Sequence, residues 1–163
     1  MIPITMTKDP GIDPETSYHT SIGLQGALER YIGLGHLQKK PWGAVILELG
    51  ACFHGCSEEE KVGVTNQVKG VLDGIAFDER ARLAEAQYLG IFRIADQKRI
   101  NETLDSLQIR LKPALGCTDF RAASVVINPT EGVTYEKIIN DLTDKIQKAW
   151  GNGTGESSGP EIR

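Results

Sequence analysis

The sequence predicts an α/β fold of the α+β sandwich type: a ferredoxin-like βαββαβ core with an added N-terminal helix and a mostly antiparallel central sheet. Three observations predict it. The patterns follow one another as helix, strand, helix, hairpin, helix, strand, helix. Residues 42–49, WGAVILEL, are an almost unbroken apolar run of strand length, typical of a strand covered on both faces. Residues 78–94 form a hairpin pattern between two amphipathic helices.

The hairpin is the stretch around which the other elements are arranged. Its two segments of mixed polar and apolar residues, 80–83 and 88–94, are joined by small and polar residues, which predicts a turn near residues 84–87. Because one helix precedes the hairpin and another follows it, the hairpin should lie centrally in the sheet. We expect its turn to project into the cleft of the domain, which makes the turn the first candidate for a functional site.

Apolar side chains at helical spacing predict the first two long helices. The first begins at Thr20 and stops at Gly35, with Pro41 beyond it. The second begins at Ser57, whose side chain can cap the amide of Glu60 while Glu60 reaches back. The predicted buried positions are Ile22, Leu24, Ala27, Leu28, Tyr31, Ile32 and Leu34 in the first helix, and Val62, Val64, Val68, Val71, Leu72 and Ile75 in the second.

The second half of the chain continues with a helix, a strand and a helix. The third helix opens at Asp96 and ends at Pro113 and Gly116, a strand covers residues 120–127, and Thr134 caps the last helix. The predicted buried positions are Ile100, Leu104, Leu107 and Leu111 in the third helix, with Ile109 off that stripe, and Ile138, Ile139, Leu142, Ile146 and Ala149 in the last.

Composition narrows the class of protein. The net charge of −4 and the pI near 5.4 argue against a nucleic-acid surface, which needs clustered Lys and Arg. No apolar run approaches the roughly 20 residues that span a bilayer, and no secretory signal is seen, so we expect a soluble cytoplasmic protein without membrane insertion. Cys52, Cys56 and Cys117 are an odd and sparse set, which predicts reduced thiols.

The chain is most simply one domain with short additions at both ends. Residues 1–17 contain three prolines and no periodicity, which predicts an irregular lead-in that packs along the domain. Residues 18–150 supply the single domain, since 163 residues with 40% hydrophobic content suffice for one core. Residues 151–163 lack a hydrophobic pattern and are predicted to be a disordered tail.

The order of elements and several motifs together resemble the GGDEF domain of diguanylate cyclases over residues 13–153. Residues 13–16, DPET, shortly before the first helix, are similar to the family's N-terminal motif DPLTGLPNRRALE, without its Asn-Arg pair. Residues 78–88, DERARLAEAQY, run in step with the family's D-x-x-x-R-x-G-G-D/E-E-F and keep the Asp, the Arg and the final aromatic. Residues 148–151, KAWG, resemble the K-x-x-G that closes the family's last helix.

The resemblance implies a nucleotide and metal site at the hairpin turn, and the sequence departs from the family there. Two family glycines that let the backbone approach the nucleotide are Ala84 and Glu85 here, and the metal-binding Asp or Glu is Ala86. On the first strand, Glu48 stands where the family has its other metal carboxylate. The candidate vestigial nucleotide-site positions are Glu48, Asp78, Arg82, Ala84, Glu85, Ala86, Gln87 and Tyr88.

The family's product-inhibition motif, R-x-x-D, is also altered. It corresponds to residues 75–78, IAFD, which lack the arginine that recognises a phosphate or guanine edge by paired hydrogen bonds. Asp78 and Arg82 remain, and we expect these two side chains to pair with each other.

These departures favour a catalytically inactive GGDEF-like domain that serves as a protein-interaction or regulatory module in bacterial signalling, with no catalytic residue, metal or cofactor. A protein partner is expected, and the family resemblance also implies a homodimer. The exposed part of the first helix and the altered turn at residues 84–87 are the candidate binding surfaces.

Two alternatives stay open. The first is a non-catalytic sensor that binds GTP or cyclic di-GMP through Glu48, Asp78 and Arg82. The second is an unrelated ferredoxin-like enzyme or metal-binding protein that uses the loop of Cys52, His54 and Cys56. Short Cys/His clusters can bind zinc, but structural zinc sites usually draw two pairs of ligands from separate knuckles, so small residues in a strand-to-helix loop are the favoured explanation of this pattern.

Overall fold

The computed structural model describes residues 10–38, 40–53, 55–115, 120–128 and 134–151. In this part of the chain the helices are α1 Ser21–Gln38, α2 Gly50–Phe53, α3 Glu58–Asp73, α4 Gln97–Leu115 and α5 Tyr135–Gly151. The strands are β1 Trp42–Glu48, β2 Glu79–Ala84, β3 Gln87–Phe92 and β4 Arg121–Ile127.

The four strands form one sheet in the order β2-β3-β1-β4, in which every neighbouring pair is antiparallel. The hairpin β2-β3 and the helices that link it to β1 and β4 give the ferredoxin-like βαββαβ order, with α1 added before it. The predicted fold class is therefore confirmed. The hairpin does not occupy the centre of the sheet as a whole, because β2 forms an edge and only β3 is an inner strand.

Strand β1 is buried on both faces, as its apolar run predicts. Val45 and Leu47 point into a core covered by α3 and α4, whereas Ala44 and Ile46 point into a second core covered by α1 and α5. Because successive side chains of a strand alternate between faces, a continuous apolar run is what two cores require.

Two predicted helix caps are present. The Ser57 hydroxyl accepts from the Glu60 amide at 3.1 Å, and the Glu60 carboxylate accepts from the Ser57 amide at 2.8 Å, which makes the predicted capping box at the start of α3. At the start of α5 the Lys137 amide donates to the Thr134 hydroxyl at 3.2 Å.

The predicted end of the first helix is wrong, and the third helix is not stopped by its proline. Helix α1 continues past Gly35 to Gln38 because a glycine weakens a helix by only about 1 kcal/mol and does not by itself stop it. Helix α4 continues through Pro113 to Leu115. Pro113 lies in the last turn, where its missing N–H removes one hydrogen bond. Gly116 lies outside the described residues.

Two predicted core positions are also wrong. Ile22 and Val62 are 66% and 48% exposed. Each lies near the start of its helix, and the first buried residues are Leu24 in α1 and Thr65 in α3. Ile22 therefore precedes the buried part of α1, and Val62 precedes that of α3. Ile109 is 71% exposed, which confirms that it lies off the stripe of α4.

Residues 10–20 fold back on themselves and pair with the edge of the sheet. From here on, the term lead-in refers to these residues and not to residues 1–17. Ile12 and His19 form an antiparallel bridge, and His19 forms a parallel bridge to β2. The His19 amide donates to the Arg80 carbonyl at 3.1 Å, and the His19 carbonyl accepts from the Arg82 amide at 2.8 Å. These bonds extend the sheet by one short bridge beside β2.

The lead-in is also anchored to α3 through Tyr18. This buried side chain donates its hydroxyl to the Asp73 carboxylate at 2.7 Å, and Lys69 pairs with the same carboxylate at 2.7 Å. Burial and the bond to Asp73 raise the pKa of Tyr18, so the hydroxyl stays a donor.

Ser17 has a φ of 68°, a left-handed conformation that non-glycine residues adopt at a cost. The family motif DPLTG has its glycine at this position when Asp13 is aligned with its first residue. We expect Ser17→Gly to raise the free energy of unfolding by about 0.5–1 kcal/mol, measured by urea denaturation. The same change at Ser106, inside α4, should lower it by a similar amount because φ is helical there. A loss of stability in Ser17→Gly would contradict the account.

The cysteines differ from the prediction. Cys52 is disulfide-bonded and Cys56 is a free, half-buried thiol, so the expectation of reduced thiols throughout is wrong for Cys52. Cys117 and His54 lie outside the described residues, as do the predicted tail beyond Gly151 and residues 1–9.

No helix in the described ranges has both the length and the apolar character needed to cross a membrane.

Candidate functional site

The end of the sheet at the hairpin turn contains Glu48 and Gln87, which face each other in register on β1 and β3. The Glu48 carboxylate accepts from the Gln87 side-chain amide at 3.1 Å through one oxygen and from the Gly50 backbone amide at 2.9 Å through the other. Both oxygens of Glu48 therefore already accept a hydrogen bond within the chain.

The turn itself joins β2 to β3 as predicted, with Glu85 and Ala86 between the strands. Ala84 and Glu85 are exposed, whereas Ala86 is half-buried against the core and its carbonyl accepts from the Leu49 amide at 2.8 Å. Among the residues that the structure describes, no group of three His, Cys, Asp or Glu side chains could hold a metal ion.

Tyr88, at the aromatic position of the signature, is a core residue. It is 1% exposed and packs edge to face against Tyr18, with ring centroids 6.4 Å apart. The Arg82 guanidinium lies 5.5 Å from the Tyr88 ring centroid. Burial raises the pKa of Tyr88, against the opposing effect of the Arg82 charge.

Arg82 bonds to the lead-in and not to Asp78. Its guanidinium lies 2.6 Å from the Glu15 carboxylate and 3.3 Å from the Asp13 carboxylate, and it donates to the Glu85 carbonyl at 2.9 Å and the Thr65 hydroxyl at 3.2 Å. The predicted pairing of Arg82 with Asp78 is therefore wrong.

The reason for that error is strand geometry. Four residues of an extended strand span about 13 Å, so Asp78, which directly precedes β2, lies too far from Arg82 within β2 to pair with it. The lead-in, folded along the edge of β2, supplies the carboxylates that Arg82 needs instead. The Arg82 side chain is only 9% exposed, so its charge requires these partners.

The electrostatic effect of Arg82 is visible at Asp13. Burial by itself would raise the pKa of Asp13, but hydrogen bonds from Thr16 and Arg82 and the Arg82 charge outweigh it, so the pKa lies below the ordinary 3.8. Asp13 is therefore a carboxylate at neutral pH, held at 2.6 Å from the Thr16 hydroxyl and at 3.3 Å from Arg82.

Asp78 lies at the other end of the hairpin, in a pocket of about 440 Å³ lined by three cations. The lining residues are Lys40, Asp78, Arg93, Ile94 and Arg99. One Asp78 oxygen accepts from the Arg93 amide at 2.7 Å. Arg99 donates to the Ala76 carbonyl at 2.7 Å and packs its guanidinium 4.4 Å from the Phe92 ring centroid. We refer to this as the Asp78 pocket.

The structure thus divides the predicted site residues into three places. Glu48, Gln87 and Ala86 lie together at the turn, Arg82 lies with the lead-in, and Asp78 lies in its own pocket. Sequence reasoning missed the cations around Asp78. Arg93 is the only one of them whose place in the hairpin was readable, because it directly follows β3.

Comparisons with known proteins agree with the fold. No protein-family model matches the sequence, and no curated protein matches it. Solved structures do match. The GGDEF domain of DgcB from Caulobacter crescentus, in complex with c-di-GMP, is similar with a TM-score of 0.78 and 13% identity, covering 91% of this chain and 92% of that chain.

Two longer proteins are similar as well. The S helix-GGDEF-EAL part of LapD from Vibrio cholerae, bound to c-di-GMP, has a TM-score of 0.73 and 13% identity, covering 93% of this chain and 37% of that chain. Diguanylate cyclase SiaD in complex with its activator SiaC, from Pseudomonas aeruginosa, has a TM-score of 0.71 and 11% identity, with 93% and 62% covered. This chain therefore has the fold of a GGDEF domain, and its structural neighbours include proteins of cyclic di-GMP signalling.

Proposed function

We propose that this chain is a GGDEF-like module without diguanylate cyclase activity, which acts in bacterial cyclic di-GMP signalling by binding another protein. The observation that carries the proposal is the hydrogen bond between Gln87 and Glu48 at the turn. The Gln87 side-chain amide donates to Glu48, the carboxylate that stands where the resemblance implies a metal ligand.

The side-chain oxygens at this end of the sheet do not form a suitable ligand set for magnesium. Mg²⁺ needs several oxygen ligands at octahedral positions and usually takes carboxylates together with substrate phosphates. Ala86 offers no side-chain oxygen, and both oxygens of Glu48 accept from donors within the chain. The exposed carboxylate of Glu85 also opposes a bound triphosphate, because like charges repel.

The test is incubation of the purified protein with GTP and Mg²⁺, with product analysis by chromatography and binding by calorimetry. We expect neither cyclic di-GMP nor heat of binding. The matched variant restores the signature by Ala84→Gly, Glu85→Gly, Ala86→Asp and Gln87→Glu, and we expect it to bind GTP with Mg²⁺ more tightly than the parent. Turnover of GTP by the parent would overturn the proposal.

The role in protein binding is supported by the same altered turn and by a structural neighbour. SiaD forms a complex with an activator protein, which shows that a chain containing this fold can bind a protein regulator. If the partner contacts the turn, the variant Glu85→Ala/Gln87→Ala binds it more weakly than the parent does. Equal binding would move the partner to another surface. Cytoplasmic localisation and homodimerisation stay predictions.

A second candidate function is that of a cyclic di-GMP sensor, favoured by the Asp78 pocket. Three cations and one carboxylate line it, so it attracts a ligand with two phosphates. DgcB and LapD are both solved with c-di-GMP. The original sensor alternative required Glu48, Asp78 and Arg82 to act together, and the structure separates them. The sensor proposal therefore depends on Lys40, Arg93 and Arg99 in place of Glu48 and Arg82.

The sensor candidate is tested by calorimetric titration with cyclic di-GMP. If the pocket binds it, the double variant Arg93→Ala/Arg99→Ala should weaken binding by tenfold or more, since each lost charge-assisted contact is worth about 1.5–3 kcal/mol. The control is Lys98→Ala, which removes an exposed cation that does not line the pocket. Absence of binding by the parent rejects the sensor candidate.

A further inference from the structure

A groove of about 440 Å³ brings together the two surfaces that the sequence marked as candidates. The first helix contributes its exposed start, the hairpin contributes the end of β2 and its turn, and the lead-in forms the third side. The lining residues are Pro10, Asp13, Glu15, Thr20, Ser21, Ile22, Arg82, Leu83, Ala84 and Glu85. We call it the lead-in groove.

The lead-in groove presents mainly negative charge. Three carboxylates and one guanidinium line it, and the guanidinium of Arg82 is already bonded to Asp13 and Glu15. The Arg82 side chain is 9% exposed, whereas those of Glu15 and Glu85 are 36% and 56% exposed. Lys61 lies 3.4 Å from Glu85, an exposed pairing that water and salt weaken. A ligand therefore meets carboxylate oxygens.

The lead-in groove also has an apolar component. Ile22 is 66% exposed, and its neighbours in the lining include Pro10, Leu83 and Ala84. A contiguous apolar patch rimmed by polar residues is typical of an interaction site. A ligand that complements the carboxylates and Ile22 has an aliphatic side chain next to a basic one.

The wall of the groove is held in place by the lead-in. The Asp13 carboxylate accepts from the amide and the hydroxyl of Thr16, at 3.1 and 2.6 Å, and the Asp13 carbonyl accepts from the Ser17 amide at 2.7 Å. A surface fixed in this way loses little conformational entropy when it binds.

The backbone of β2 borders the groove as an edge. His19 occupies this edge as far as Arg82, and the chain then turns away into α1. Beyond that point, within the described residues, the Leu83 carbonyl accepts from the Ser21 hydroxyl at 3.4 Å, a long contact. Strand β2 ends at Ala84, so only Leu83 and Ala84 lie beyond Arg82, and a ligand in the groove meets side chains there and not a long free strand edge.

We propose that the lead-in groove binds a segment of a partner protein in which basic side chains lie next to aliphatic ones. This rests on the proposed protein-binding function and names the chemistry of the partner. The carboxylates of Glu15 and Glu85 contact the basic groups, and Ile22 contacts the aliphatic side chain.

The test uses a fluorescein-labelled octapeptide of alternating arginine and leucine, titrated with the full chain and followed by fluorescence anisotropy. The glutamate–leucine octapeptide is the ligand control. We expect the basic peptide to bind and the acidic one not to bind. Raising the salt from 0.05 to 0.5 M should weaken binding several-fold, because the contacts with Glu15 and Glu85 are exposed to solvent.

The groove is located by a double variant, Ile22→Ala/Glu85→Gln, which removes one exposed isoleucine and one exposed charge. Its matched control is Ile109→Ala/Glu102→Gln on α4, the same pair of changes at exposed positions outside the groove. We expect the Kd of the basic peptide to rise at least tenfold in the first and less than twofold in the second, with unchanged circular dichroism in both.

Three outcomes overturn the groove proposal: no binding of the basic peptide, equal binding of the acidic peptide, or an equal effect of the two double variants. None of these outcomes bears on catalysis. The proposed function fails only if the parent converts GTP or if the parent binds no partner protein. The two proposals can therefore fail separately.

Discussion

The variant Arg82→Ala is expected to lose about 3 kcal/mol of unfolding free energy, measured by urea denaturation at pH 7. The guanidinium is 9% exposed and bonds to Asp13, Glu15 and Thr65. Its removal leaves two carboxylates of the lead-in next to each other without a cation, and it leaves the Glu85 carbonyl without this donor. The loss therefore exceeds that of an exposed ion pair.

The control for this variant is Arg30→Ala, since Arg30 is exposed on α1. A surface substitution of this kind changes stability by about 0.5 kcal/mol or less. Hydrogen exchange should show the loss in Arg82→Ala first at the His19 amide, which bonds to β2. If both variants lose the same stability, Arg82 does not hold the lead-in in the way that its contacts indicate.

The same network makes a prediction about pH. The pKa of Asp13 in the folded protein lies below its ordinary 3.8, so its contribution to stability is complete above that value and is lost as the pH falls through the lowered pKa. The parent should therefore lose stability on acidification below about pH 4. Arg82→Ala should show a shallower loss, because one cause of the lowered pKa is gone. Parallel curves would contradict the assignment.

Much of the fold could be predicted from the sequence because its signals are local. The capping box of Ser57 and Glu60 involves residues three apart, and the apolar run of β1 records burial on both faces within one segment. The hairpin turn at residues 84–87 needs only two neighbouring segments. Each of these signals is complete within a short window, so the sequence predicts it without knowledge of the tertiary contacts.

The contacts of the candidate site residues, in contrast, join residues that are far apart in the sequence. Arg82 bonds to carboxylates 67 and 69 residues earlier in the chain, and no local pattern indicates that the lead-in lies along β2. The cations around Asp78 likewise come from the segment before β1, the residue after β3 and helix α4. Tertiary packing alone brings these charges to their partners.

Gly90→Ala is the second large effect, with an expected loss of about 3 kcal/mol. Gly90 lies inside β3, and a Cβ there would come closer than 3.0 Å to three carbons of the Phe77 ring. Phe77 is buried and packs against Phe92 with ring centroids 4.8 Å apart, so the ring cannot move aside without opening the core. The glycine is needed for this close approach, not for its backbone freedom.

The matched control is Gly70→Ala in α3, where an added Cβ meets nothing within 4 Å and helix propensity favours alanine. It should raise stability by up to about 1 kcal/mol. In the double variant Gly90→Ala/Phe77→Leu, the loss should be smaller than the sum of the two single losses, because the leucine vacates the space that the new methyl enters. Additive losses would show that the methyl is opposed by something other than the ring.

The Phe77 ring, which packs against Gly90, also connects this part of the core to the Asp78 pocket. Phe77 immediately precedes Asp78, whose amide donates to the Ile91 carbonyl at 2.7 Å and whose carboxylate accepts from the Arg93 amide. A ring displaced by Gly90→Ala would shift Asp78 relative to Arg93. If the pocket binds cyclic di-GMP, Gly90→Ala should therefore weaken that binding at temperatures where the variant is still folded, whereas Gly70→Ala should leave it unchanged.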